Sequence, residues 1–212
     1  METGAKRHMS IMERLAEIII LRINKVTNKE GLELQKMKLG MEILLINISK
    51  FLIVFFVAFK INLIIEAFII MIVFAALRSN AFGIHSKSSI ACTITTLLLF
   101  VGGGYLSHYF LLSRYIVFLI FMIINVLLYQ YAPADTEYHP LLGQAFRKSL
   151  RNKAVIIGVT LMVIALIVPS ETIRNLITLA SCAEVISILP ITYKVLNRRY
   201  RNYEGYEKAT IN

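Results

Sequence analysis

The 212-residue sequence predicts an all-α fold, a polytopic membrane helical bundle of about six transmembrane helices preceded by an amphipathic helix on the cytoplasmic or interfacial side. Composition, segmentation and charge distribution carry this reading. Hydrophobic residues make up 57% of the chain and charged residues 17%, against about 45–50% and 25% in soluble domains. The mean hydropathy is +0.68. A soluble protein with this balance would expose broad apolar patches and aggregate, which excludes an ordinary cytosolic enzyme, a disordered tail and a disulfide scaffold. The net charge of +10 then points to anionic lipid and cytoplasmic loops rather than to nucleic acid. The two cysteines, Cys92 and Cys182, are too few for a disulfide framework.

The elements follow in chain order. Met1 to His8 lacks an apolar run and reads as an added leader, with Met9-Ser10 as the native start. Residues 9–40 form an amphipathic region expected on the cytoplasmic side. Ser10-x-x-Glu13 has capping-box spacing, which starts a helix at Ile11. Ile11, Leu15, Ile18 and Ile19 share a face that Glu13, Arg14, Glu17 and Lys25 avoid, as in a helix lying on a bilayer. The polar, basic residues from Thr27 to Gly40 predict a second short helix. Residues 41–193 form the membrane domain, with spans expected at 41–59, 61–77, 89–110, 114–132, 154–169 and 172–193. Each approaches the ~20 residues that cross ~30 Å of hydrocarbon. The first two nearly touch at Lys60-Ile61-Asn62, so counts of five or seven stay open. Residues 194–212 are a basic tail.

Charge orients the bundle. With six spans, 19 Lys and Arg fall on the side of the termini and the 78–88 and 133–153 loops, against Lys60, Arg114 and Arg174 on the other. The bias predicts a multi-pass cell-membrane protein with both termini and these loops in the cytoplasm. Gly102-Gly103-Gly104 lies inside the third span and predicts a kink or close helix packing. Asn47, Lys50, Glu66, Asn125 and Glu184 fall at membrane depth. Such groups face a bundle interior or cavity, with Glu66 and Lys50 as a conceivable pair.

The first cytoplasmic loop carries Arg78, Gly83, His85, Ser88, Ser89 and Cys92. A thiolate is a strong nucleophile when a neighbouring base or positive charge lowers its pKa, and imidazole suits that task near neutral pH. On one straight helix, residues seven apart lie about 10.5 Å apart along the axis, too far for proton transfer. A Cys92–His85 dyad therefore requires a break between Gly83 and Ser88, with Cys92 in the first turns of a new helix starting near Lys87 to Ser89. Ser88, Ser89 or backbone N–H groups there are candidate oxyanion donors. Taken alone, a cysteine in an apolar helix is usually a packing residue and a loop histidine a solvated surface residue. The histidines and few carboxylates show no metal-ligand spacing.

The second loop, Ala132-Pro133-Ala134-Asp135-Thr136-Glu137, is held rigid and non-helical by its prolines. Pro133, Asp135, Thr136 and Glu137 are candidates for a substrate surface, and Asp135 for orienting the base. The run from Phe146 to Lys153 is basic. Arg147, Lys148, Arg151 and Lys153 read either as positive-inside anchors or as an attractor for an acidic peptide.

The string Arg78…Gly83-Ile84-His85-Ser86…Cys92, set among six hydrophobic spans and followed by Ala132-Pro133-Ala134-Asp135-Thr136-Glu137, resembles the AgrB family, the accessory gene regulator B proteins of Gram-positive quorum sensing. The resemblance covers nearly the whole chain after residue 8. One departure is Phe82-Gly83, where many members have Gly-Gly. The resemblance implies a membrane cysteine endopeptidase with His85 and Cys92 as its catalytic pair. It further implies an AgrD-like precursor peptide as partner, removal of that peptide's acidic C-terminal tail through an acyl-enzyme thioester, and cyclisation to a thiolactone, or a lactone where Ser closes the ring. No cofactor and no nucleic acid are expected, and a homodimer is compatible with the family. The rival readings are a transporter or channel, motivated by Glu66, Glu184 and the glycine-rich third span, and a non-catalytic membrane scaffold.

Overall fold

The structure, a computed structural model, describes residues 11–84, 89–110, 112–136 and 140–211. The capping residue Ser10 expected at the first helix lies outside them. Among the described residues the regular structure is helical apart from isolated bridge positions such as the pair Phe82 and Ala134. The chain divides into two compact units, residues 1–56 and 57–212.

In the first unit, α1 (Ile11–Thr27) and α2 (Gly31–Lys60) are joined by a turn with positive φ at Asn28 and Gly31. Glu17 of α1 accepts from Lys38 Nζ of α2 at 2.8 Å. Burial on α1 falls on Ala16 and Ile20, while Leu15 and Ile18 of the predicted apolar face are exposed. The second short helix expected before residue 40 is not separate. Gly40 sits in α2 with open space around it, and no proline interrupts the run from Gly31 to Lys60. The helix therefore propagates from the polar stretch straight into the apolar one.

The second unit is an up-and-down bundle. It contains α3 (Ile64–Ala81), α4 (Ser89–Leu97), a π-helical turn (Leu98–Gly102), α5 (Gly103–Ser107), α6 (Arg114–Tyr131), α7 (Gln144–Ile167), α8 (Glu171–Ile188), α9 (Pro190–Val195) and α10 (Tyr203–Ile211). The turn expected after Lys60 is present, with Asn62 at φ +58° and Leu63 N–H donating to Ala58 O at 2.8 Å. Ser113 and Ser170 cap α6 and α8 by accepting from Ile116 and Ile173 N–H. Gly102 ends the π-turn and Gly103 and Gly104 follow it, as predicted for a packing or kink site. A Cβ on Gly104 would stand 3.1 Å from Glu66 Cβ, and one on Gly103 would stand 3.2 Å from Ile70 Cδ1. Their lack of side chains lets this span close on α3. Gly158 does the same between α7 and α6, where a Cβ would meet Asn125 Oδ1 at 2.5 Å.

Among the described residues, five helical stretches are long and apolar enough to cross a bilayer: Gly31–Lys60, Ile64–Ala81, Ile90–Ser107, Arg114–Tyr131 and Gln144–Ile167. Their outer faces expose Phe68, Ile72, Leu119, Ile123, Val126, Ile156 and Val163 among many others. Apolar side chains all around a helix are the mark of lipid contact. These features describe a polytopic membrane bundle. The stretch expected to cross from 172 does not reach that composition. α8 instead packs against α3, α5, α6 and α7 and buries Arg174, Asn175, Thr178, Ser181 and Glu184. Several of its polar groups are held within the protein: Asn175 Nδ2 donates to Ser107 O and Phe110 O, and Arg174 Nη1 to Leu112 O. The helix expected from 154 begins at Gln144 instead, because the basic run from Phe146 to Lys153 forms its first turns.

Candidate active site

One end of the second unit gathers the C-termini of α3, α6 and α8 and the N-termini of α4 and α7. α3 stops at Ala81, where Phe82 and Gly83 take φ of +59° and +115°. The bridge partner Ala134 donates to Ala81 O at 2.9 Å and accepts from Gly83 N–H at 2.8 Å. Ile84 N–H donates to Ser187 O at 3.2 Å. From α3, Arg78 closes the turn: its Nη2 donates to Gly83 O at 3.0 Å and to Ile84 O at 2.6 Å. Its Nη1 donates to Ser187 Oγ at 2.8 Å and faces Glu184 Oε2 at 3.4 Å. Gly83 is required here twice over. Its φ lies in the glycine region, and a Cβ would stand 2.5 Å from Ser187 Oγ.

His85 follows Ile84 directly in sequence, and it and Ser88 lie outside the described residues, as does Glu137. α3 ends at Ala81, residues 82–84 are not helical, and α4 is described from Ser89. Cys92 sits in the first turn of α4, half-buried and not in a disulfide. Its carbonyl accepts from Thr96 Oγ1 at 2.8 Å. Cys182 is also free and half-buried, with burial pushing its environment toward a packing role.

The second loop adjoins the first. Pro133 is buried and follows a cis peptide bond. Asp135, 2% exposed, gives both carboxylate oxygens to the C-terminal segment: Oδ1 accepts from Asn202 N–H at 3.0 Å and Oδ2 from Tyr203 N–H at 2.7 Å. Buried Tyr193 donates its hydroxyl to Asp135 O at 2.9 Å. Thr136 is half-buried beside it. Of the four cations on α7, two are engaged. Arg147 forks onto Glu207 at 2.6 and 3.3 Å and lies 3.8 Å over the Tyr203 ring. Arg151 Nε donates to Ala132 O at 3.0 Å. Lys148 and Lys153 are exposed. The Arg147 guanidinium, helped by the Gly143 N–H, holds the Glu207 carboxyl below its ordinary range. A polar cleft runs between Pro133, Asp135, Arg147, Arg151 and Tyr200.

Thus Arg78, Gly83, Pro133, Asp135, Arg147 and Arg151 converge through direct bonds at one end of the bundle. Lys148 and Lys153 stay outside these bonds. Glu66 lies at the opposite end, where it meets His108 Nε2 at 3.1 Å. No cluster of three His, Cys, Asp or Glu side chains suited to a metal is present among the described residues. Sequence reasoning missed Ser187, Tyr193 and Glu207, and it flagged Glu184 without a partner. The polar pair Glu184 and Ser187, three residues apart on an otherwise apolar helix, is the signal that shows one face of α8 to be polar.

The family model described as Accessory gene regulator B matches residues 12–188. A putative AgrB-like protein of Clostridium acetobutylicum is 53% identical over 204 residues, covering 96% of this chain and 98% of its own. A putative AgrB-like protein of Listeria monocytogenes is 38% identical over 197 residues, covering 93% and 96%. The accessory gene regulator protein B of Staphylococcus lugdunensis is 28% identical, covering 87% and 97%. No solved structure matches the chain. With a motif string, a bundle of long apolar helices and matches of this extent all in agreement, the chain belongs to the accessory gene regulator B family of membrane proteins involved in quorum-sensing precursor processing.

Proposed function

We propose that this protein is a membrane cysteine endopeptidase that removes the C-terminal tail of an AgrD-like precursor peptide and passes the remaining acyl group on to ring closure. One observation carries the reading. In a member of this family, a half-buried free thiol, Cys92, sits in the first turn of a helix, eight residues beyond a turn held by Arg78. His85 is the next residue in sequence after that turn.

His85 accepts the thiol proton of Cys92, and the thiolate attacks the scissile carbonyl. The N-terminal end of the helical run from Ser89 favours the negative sulfur. Backbone N–H groups of that first turn, with the Ser88 or Ser89 hydroxyl, receive the oxyanion. The imidazolium then protonates the leaving amine, which departs with the tail, and an acyl-enzyme thioester remains. Attack by the precursor's own thiol exchanges one thioester for another, so closure to a thiolactone needs no nucleotide triphosphate. Water must be kept out and the attacking thiol held near the carbonyl. A site at the membrane interface meets both requirements.

The cations of α7 give the acidic tail its landing surface, Lys148 and Lys153 first because they are exposed. In this reading Gly83, Pro133, Asp135 and Thr136 contribute to substrate recognition together with Glu137, which lies outside the described residues. The positive-inside rule puts this end of the bundle, with both termini, in the cytoplasm. The flux reading has less support: of its two acidic groups, Glu66 contacts His108 and Glu184 contacts Arg78.

The test is co-expression with the precursor peptide and mass spectrometry of the products. Cys92→Ala and His85→Ala should each stop tail removal at unchanged expression. Continued tail removal in either variant would end the proposal.

A further inference from the structure

Glu184 is the most deeply enclosed charged group of the bundle, with 0% of its side chain exposed. Among the described residues Arg78 is its one ion-pair partner, itself 19% exposed. Ser187 joins them, donating its hydroxyl to Glu184 Oε2 at 3.3 Å while accepting from Arg78 Nη1 at 2.8 Å. The other carboxylate oxygen, Oε1, has no hydrogen-bond partner among the described residues. Burying two charges is costly. Where stability alone matters, apolar side chains of the same volume usually serve as well or better. The pair therefore calls for another explanation, and its contacts supply one. Arg78 spends its second amino group on Gly83 O and Ile84 O, while Ala134 O and Ser187 O hold the N–H groups of the same two residues. The last two residues before His85 thus have both backbone polar groups fixed, and the cation among their partners is oriented from α8.

We propose that Glu184 is a positioning residue of the processing reaction: through Arg78 and Ser187 it fixes the Gly83–Ile84 backbone, and thereby the approach of His85 to Cys92. This rests on the Cys–His reading given above. Glu184 touches neither substrate nor reacting atoms. It sets the geometry of the base, and an error on the order of 1 Å there costs up to about 100-fold in rate. The tail-binding surface on α7 lies on other side chains, so substrate affinity should be insensitive to it.

The experiment uses the full chain in lipid discs with a synthetic precursor peptide, in a Cys182→Ala background so that thiol alkylation reports Cys92 alone. Glu184→Gln keeps the volume and removes the charge. It should lower kcat by about 10- to 100-fold with KM within about twofold, and slow iodoacetamide alkylation of Cys92 in parallel. Glu184→Asp should recover part of kcat. An unchanged kcat per folded molecule in Glu184→Gln, with His85→Ala inactive, would overturn the proposal and leave the dyad standing. Full activity in His85→Ala would instead remove the reading beneath it. Should Glu184→Gln fail to fold, Ser187→Ala decides the matter. It retains the ion pair and loosens its register, so a loss of about fivefold in kcat at constant KM is expected, and an unchanged kcat overturns the proposal.

Discussion

α6 and α8 each have 18 residues and stand in the same bundle, yet they are built on opposite plans. α6 buries Val117, Phe121, Ile124 and Leu128 and turns Phe118, Leu119, Met122, Ile123 and Val126 outward. α8 buries Arg174, Asn175, Thr178, Ser181 and Glu184 together with its apolar neighbours. In a soluble protein the more apolar helix would be the inner one. Here lipid solvates α6 on its outer side, and the polar helix is sheltered inside the bundle, where Arg174, Asn175 and Glu184 each meet a protein partner. Both helices end at the candidate active site, and the one with the weaker membrane signature brings the polar side chains Glu184 and Ser187 to it.

Substitutions should divide along the same line. The largest effect is expected at Glu184→Ala, which leaves Arg78 without its carboxylate and should destabilise the bundle by about 3–5 kcal/mol in SDS-titration unfolding. A loss near zero would mean that the pair is solvated and α8 is not the interior helix. Next comes Gly158→Leu. Its side chain would run into Asn125 and Leu128 of α6, and about 1–3 kcal/mol of overpacking should appear in the same assay. Full stability there would show that α6 and α7 are not in close contact.

A smaller, local effect belongs to the C-terminal segment. Because Arg147 and the Gly143 N–H lower the Glu207 pKa, their contact contributes above the ordinary carboxylate range and is lost as pH falls through the lowered value. Limited proteolysis should therefore find α10 protected at pH 7 and cut faster in acid, below the usual glutamate pKa. Glu207→Gln should be cut at the acid-like rate at both pH values. Equal protection of the wild type at both would separate α10 from Arg147. The smallest change is expected at Phe118→Ala on the outer face of α6, within about 0.5 kcal/mol. A cost of several kcal/mol would mean that this face is covered by protein rather than lipid.

The contrast also explains what the sequence made legible. Five spans stand out because a run of apolar residues has no soluble alternative, and the stop of α3 before Cys92 follows from the chemistry a dyad would demand. The glycine triplet announced a close approach and has one, against Glu66 and Ile70. Helix starts at polar segments were harder. Gly31 to Gly40 and Gln144 to Lys153 carry loop-like charge, yet both are helical because nothing in them breaks a helix that the adjoining apolar run already nucleates. The apolar face of α1 reads in sequence as one laid on a bilayer; Leu15 and Ile18 of that face are exposed, while Ala16 and Ile20 are the side chains the protein covers. Pairings such as Arg78–Glu184 and Asp135–Tyr203 join residues 106 and 68 positions apart. No local pattern encodes them, and they emerge only once the helices pack.

The most direct test of the Cys–His account is an acid quench of the protein mixed with precursor peptide, followed by intact-mass analysis. The account predicts an adduct on Cys92 whose mass equals the peptide without its tail, sensitive to hydroxylamine as a thioester is, and absent from Cys92→Ala. Tail release with no such adduct, or an adduct that survives in Cys92→Ala, would contradict it.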